Sequence, residues 1–152
     1  MQPRIDYRRF APEALKAMLP LESYLEHSSL DHNFLHLLKL RASQINGCAF
    51  CIDARAGGET EQRLYGLDAW RESPYYTDRE RAALAWTEAV TLISSTHASD
   101  EEFAELQKHF SEQEIVDLIY AISAINMWNR IAIALRAVPG RYQPPQKSTA
   151  AH

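Results

Sequence analysis

The stretch that decides the fold runs from Leu35 to Asp53, LHLLKLRASQINGCAFCID. Its first part sets Leu35, Leu37, Leu38, Leu40, Ala42 and Ile45 at a helical period. Asn46-Gly47 ends that helix, because glycine is the usual residue just past a helix C-terminus. The last part holds the only two cysteines of the chain, Cys48 and Cys51, as a C-x-x-C. Thiols so spaced can form a disulfide with each other or share a metal, and on a helix they lie on one face. If a new helix starts at about Cys48, both fall in its first turn. There the partial positive charge of the helix N-terminus favours thiolate over thiol. The pair therefore reads first as a redox motif.

Outward from this motif, 152 residues suit one domain, and a hydrophobic content of 46% is enough for a core. The expected domain spans residues 1–152, with its core at about 15–137 and a polar tail over 140–152. A net charge of -4 and scattered Lys and Arg give no footprint for nucleic acid or an anionic membrane. No apolar stretch is expected to reach the length of a membrane span, and MQPRIDYRRF lacks the apolar segment of a signal peptide. A cytoplasmic location is the resulting expectation, and in a reducing compartment a close cysteine pair is more often catalytic or metal-binding than a structural staple.

Along the chain, residues 1–10 read as an extended arm, followed by a short helix over 11–18 and a further turn opened by Pro20. Asp31 is the expected N-cap of the helix running to Asn46. After the cysteines, the double glycine of Ala54-Arg55-Ala56-Gly57-Gly58 marks a loop, and Thr60 caps a helix carrying Leu64, Leu67, Asp68 and Trp70. Thr77-x-x-Glu80, Ser99-x-x-Glu102 and Ser111-x-x-Glu114 have the form of capping boxes, opening helices at about 79–95, 100–109 and 112–137. The last is apolar on several faces, as befits a helix central to the domain or shared with another subunit. No run alternates polar and apolar residues between hairpin turns, so the expected class is all-α, a compact helical bundle.

The run Lys39 to Asp53 resembles the signature of the carboxymuconolactone decarboxylase superfamily, in particular its alkylhydroperoxidase D-like branch. Similar segments are Gly58–Tyr65, Thr77–Glu88 and Ala124–Arg130, so the likeness covers about residues 15–137. It implies an all-helical subunit, homo-oligomers built as trimers or hexamers, and thiol-dependent reduction of hydroperoxides with no bound organic cofactor. The partners so implied are a hydroperoxide and a thiol or dithiol reductant. The branch's active motif is E-x11-C-x2-C-x3-H, and its cysteines match Cys48 and Cys51. Its Glu position holds His36 and its His position holds Arg55. Relatives carry a short His-bearing stretch after Cys-Ile-Asp, whereas here Asp53 passes directly to Ala54-Arg55-Ala56.

The candidate catalytic residues are therefore Cys48, Cys51 and His36. One thiolate would attack the peroxide, the other thiol would close a disulfide, and a neutral His36 imidazole would take the thiol proton. Arg55 would lower a thiol pKa by its charge if near. The plain alternatives are two small buried cysteines and a His36 that packs on a helix flank. A zinc-type set of His32, His36, Cys48 and Cys51 needs the break at Gly47 to fold the chain back. Glu88 reads as a buried acid near the thiols or as part of a solvated face, and Asn126, Trp128 and Asn129 call for interhelical or intersubunit hydrogen bonds. Two other functions compete: a lactone decarboxylase, which does not need the C-x-x-C, and a non-catalytic oligomeric scaffold that has lost the proton relay.

Overall fold

The structure is a computed structural model that describes residues 2–54 and 60–140; the predicted double-glycine loop and the tail beyond Gly140 lie outside the described residues. The described residues form helices only: α1 (Tyr7–Phe10), α2 (Pro12–Glu26), α3 (His32–Asn46), α4 (Ala49–Asp53), α5 (Glu61–Tyr65), α6 (Asp78–Thr91), α7 (Ile93–Thr96), α8 (Asp100–Gln107) and α9 (Glu112–Leu135). A 3-10 turn, Leu67–Ala69, links α5 to the segment before α6. The all-α expectation holds.

Helices α3, α6 and α9 pack on one another to form the centre, with α2 laid on α9 and α8 on α6. Leu37 and Leu38 of α3, Leu84 of α6 and Leu118 and Ile122 of α9 are almost wholly buried there. Each Leu or Ile so placed contributes about 1.5–3 kcal/mol through apolar burial. A smaller apolar cluster at the end of α3 gathers Ala42, Cys48, Cys51, Ile125 and Ala132.

The helix starts follow their caps. Asp31 accepts from the Phe34 amide at 3.0 Å. Thr77–Glu80 and Ser111–Glu114 are complete, reciprocal capping boxes. At Ser99 the hydroxyl accepts from the Glu102 amide at 3.3 Å, while the Glu102 carboxylate accepts from the Ser99 hydroxyl instead of its backbone N–H.

Five expectations are corrected. The arm before residue 11 contains α1, because the Asp6 carboxylate accepts from the Arg8 amide and caps a turn. Pro20 opens no new helix; α2 runs through it, held by Leu25, which is fully buried against the core. The helix after Thr60 breaks at Gly66, and the one starting at Thr77 breaks at Leu92, where the Thr96 hydroxyl bonds the Ala89 carbonyl at 2.6 Å. Helix α9, with 24 residues and a mean hydropathy of 1.4 over its most apolar window, is long and apolar enough to cross a membrane by length and composition. Its buried Asp117, Asn126 and Asn129 bond residues of other helices, which makes it the central helix of the bundle.

Candidate functional site

The site begins with the way α3 ends. Gly47 takes φ +69°, the left-handed conformation that favours glycine. The turn is closed by the Gly47 amide on the Gln44 carbonyl at 3.1 Å and the Cys48 amide on the Ser43 carbonyl at 2.9 Å. Cys48 thereby becomes the N-cap of α4, its sulfur accepting from the Cys51 amide at 3.3 Å. The Cys48 carbonyl in turn receives the Ile52 amide at 2.9 Å. The C-x-x-C thus lies in the first turn of a new helix, as its sequence implied. The two residues are joined as a disulfide, with their Cα atoms 5.3 Å apart. Cys48 is 1% exposed and Cys51 2%, packed against Ala42, Ile125 and Ala132.

Cys48 lies in the wall of a cleft of about 450 Å³, shared with Phe50 of α4, Ala132 and Ile133 of α9, and Arg136 and Val138 beyond it. Cys51 is not among the residues lining it. A second cleft of about 430 Å³ lies across Phe50, between α4 and the N-terminal arm, which is held on α9 by the Arg4 amide bonding the Leu135 carbonyl at 2.9 Å.

A polar layer lies between α3 and α9 beside the cysteine cluster. Asn46 donates to the side chains of Asn126 (2.9 Å) and Asn129 (2.8 Å), and Asn129, 0% exposed, donates to the Ser43 hydroxyl at 3.0 Å. Asn126 donates to the Thr91 hydroxyl of α6 at 3.1 Å and accepts from Arg130 at 3.0 Å. Apart from the Arg130 bond, which lies within α9, these are interhelical bonds within one chain, one of the two settings expected for the asparagines. Trp128 donates to Glu22 at 2.8 Å, and Glu22 also receives the Lys39 ammonium at 2.6 Å, with Lys39 only 5% exposed. This layer fixes the end of α3, and hence the turn that presents Cys48.

Glu88 proves to be a structural acid. It accepts from Trp70 at 2.8 Å, Arg41 at 2.9 Å and Arg71 at 2.5 Å. Burial by itself would raise its pKa, but the donors Trp70, Arg71 and Arg41 outweigh it and hold the carboxyl below its usual range. Its partners are these three side chains, with no bond to either sulfur.

His36 is half-buried near the start of α3, its ring 4.2 Å from that of His32. The ten residues from His36 to Asn46 span about 15 Å of helix at about 1.5 Å per residue. Its ring contact is with His32, and the two sulfurs bond each other. The zinc-type set is not assembled: no three metal-ligating side chains converge among the described residues. Arg55 lies outside the described residues. Sequence reasoning overlooked Arg136 and the Lys39–Glu22 pair. The lysine was detectable in principle, as one charge between Leu38 and Leu40 on an apolar helix.

An all-helical bundle that presents a buried C-x-x-C disulfide at a helix start defines a class, and the comparisons give it a family. Residues 12–89 match the carboxymuconolactone decarboxylase family, and the chain belongs to it. An uncharacterised protein of Bacillus subtilis, YdfG, is 46% identical over 140 residues, covering 89% of this chain and 95% of that one. Among solved structures, a protein of unknown function from Agrobacterium tumefaciens, proposed as the antioxidant defence protein AhpD, superposes with a TM-score of 0.87 at 49% identity, over 93% of this chain and 100% of that one. An uncharacterised peroxidase-related protein from Silicibacter follows the same fold with a TM-score of 0.76 at 25% identity, over 87% and 73% of the two chains. The resemblance to the alkylhydroperoxidase D-like branch is thus met in the solved relatives.

Proposed function

We propose that this protein is a thiol-dependent peroxidase that reduces hydroperoxides through Cys48 and Cys51. The observation that carries the reading is the Cys48–Cys51 disulfide at the start of α4, with Cys48 on the wall of an open cleft. In the reduced protein, a cysteine thiolate attacks the peroxide O–O bond, takes one oxygen as sulfenic acid and releases the other as an alcohol once protonated. The second thiol attacks the sulfenic sulfur, water leaves, and the disulfide forms. An external thiol or dithiol reopens it by exchange. No organic cofactor and no metal enter this cycle. The Cys51 N–H that points at the Cys48 sulfur, 3.3 Å away, would stabilise charge on that sulfur.

The cycle supports a cytoplasmic protein supplied with reductant, with neither nucleic acid nor membrane as partner. It also accommodates a homo-oligomer, trimer or hexamer. Val116, Ile119, Tyr120 and Met127 are exposed along one side of α9 at helical spacing, an apolar face suited to a second copy. His36, near the start of α3, remains the candidate proton acceptor of the cycle. A second reading, a scaffold with little turnover, is favoured by Arg55 at the position of the family's His and by the deep burial of both sulfurs.

The test is peroxide consumption with excess dithiol, by the wild type and by Cys48→Ser and Cys51→Ser. Turnover in the wild type and its loss in both variants is the expected result. Equal turnover in all three would remove the mechanism, and none in any would leave the scaffold.

A further inference from the structure

The cleft beside Cys48 is larger than hydrogen peroxide requires. At about 450 Å³ it falls within the range of sites that enclose a small organic molecule. Its walls are apolar, from Phe50 of α4 to Ala132 and Ile133 of α9 and Val138 beyond it. One charged side chain stands among them, that of Arg136. This residue closes α9 with φ +56°, a left-handed conformation uncommon outside glycine, and its amide bonds the Ile133 carbonyl at 3.2 Å. Among the described residues its guanidinium has neither a hydrogen-bond nor an ion-pair partner. The acid on α4, Asp53, lines the other cleft and accepts from the Gly140 amide at 2.8 Å. Thus, among its described lining residues, the Cys48 cleft offers an apolar surface, one cation and no anion.

We propose that this cleft binds an amphiphilic carboxylate, with the apolar chain against Phe50, Ile133 and Val138 and the carboxylate on Arg136, and that its reactive form is a hydroperoxide of the same class. The second half of this statement rests on the peroxidase reading; the binding half does not. In the reaction, the Cys48 thiolate attacks the outer peroxide oxygen, the O–O bond breaks, and the alkoxide leaves and is protonated to a hydroxy acid. The Cys51 thiol then attacks the sulfenic sulfur and expels water, and a dithiol reductant takes the oxidising equivalents away. Arg136 touches no reacting atom in this scheme and sets substrate preference only.

Calorimetric titration of the intact, disulfide-bonded protein with octanoate and with 1-octanol tests the site without requiring turnover. Octanoate should bind about fivefold more tightly than octanol, the upper end for a solvent-exposed ion pair. Arg136→Gln should abolish that difference while leaving octanol binding unchanged, and Ile133→Trp, which fills the cleft, should weaken both. Equal affinities in the wild type, a preference that survives Arg136→Gln, or no binding of either probe overturns the proposal. In turnover, Arg136→Gln should raise KM for a hydroperoxy carboxylic acid about fivefold, with kcat and the methyl ester unaffected. If octanoate discriminates as expected but no hydroperoxide is consumed, the site stands and the peroxidase reading falls. If hydroperoxides are consumed and octanoate is not preferred, the peroxidase stands and the carboxylate site falls.

Discussion

Lys39→Met gives the sharpest test of how the helices around the site are held. The Lys39 ammonium and the Glu22 carboxylate meet at 2.6 Å, with side chains 7% and 19% exposed. Breaking a buried pair by removing one partner costs about 3–5 kcal/mol, because the remaining charge stays out of water. The partial exposure of Glu22, and the bond it keeps from Trp128 at 2.8 Å, place Lys39→Met at the lower end, about 3 kcal/mol. For a chain of 152 residues that is a fall in Tm of about 6–12 °C. Glu22→Gln alone strands the lysine and should cost about 2 kcal/mol, while the amide still accepts from Trp128. In the double variant both charges of the pair are gone together, and the loss should be only about 1 kcal/mol. Urea unfolding of the four proteins then yields a coupling well beyond the roughly 0.5 kcal/mol within which independent sites add. A double variant that loses the sum of the two single losses would refute the buried pair.

Other perturbations test separate links. Glu88→Gln should cost about 2 kcal/mol at pH 7 through weakened charge-assisted bonds to Arg41 and Arg71. Because the folded pKa of Glu88 is lowered, its stabilisation is full above the unfolded carboxylate value and fades as pH falls through the folded one. The gap between wild type and Glu88→Gln should therefore narrow as pH falls below the ordinary glutamate range, and a constant gap in acid melts would contradict this. Gly47→Ala meets no atom within 4 Å, so its cost is backbone strain at φ +69°, about 1–2 kcal/mol; an unchanged urea midpoint would show that the turn is not held left-handed. Inserting a His-bearing stretch after Asp53, as the family carries, should raise peroxide turnover, and an unchanged rate would refute the relay argument.

The fold was legible because its signals are local. The leucine spacing of α3, the glycine at 47 and the Thr77 and Ser111 boxes each specify their own boundary within a few residues. Errors came where distant packing overrode local preference. Pro20 reads as a helix start, yet Leu25, buried on the core, carries α2 through it. Leu92 looks like one more apolar position of a long helix, yet the chain breaks there, and the Thr96 hydroxyl reaches back to the Ala89 carbonyl. At the site, the C-x-x-C and its place at a helix start were readable because spacing alone determines them. The role expected of His36 rested on its distance along the sequence from Cys48, a signal that fixes its place on α3 and nothing of its chemistry. Arg136 had no local signal, because its importance comes from the end of α9 arriving beside α4.

The central claim is that Cys48 and Cys51 cycle between dithiol and disulfide at the expense of a hydroperoxide. Intact-protein mass spectrometry with thiol alkylation, applied to the reduced protein before and after one equivalent of hydroperoxide, measures this directly. The account predicts two alkylated thiols before treatment. After it, both should be protected with a mass decrease of two hydrogens, and a dithiol should restore them. Thiols that remain alkylatable under excess hydroperoxide would contradict it.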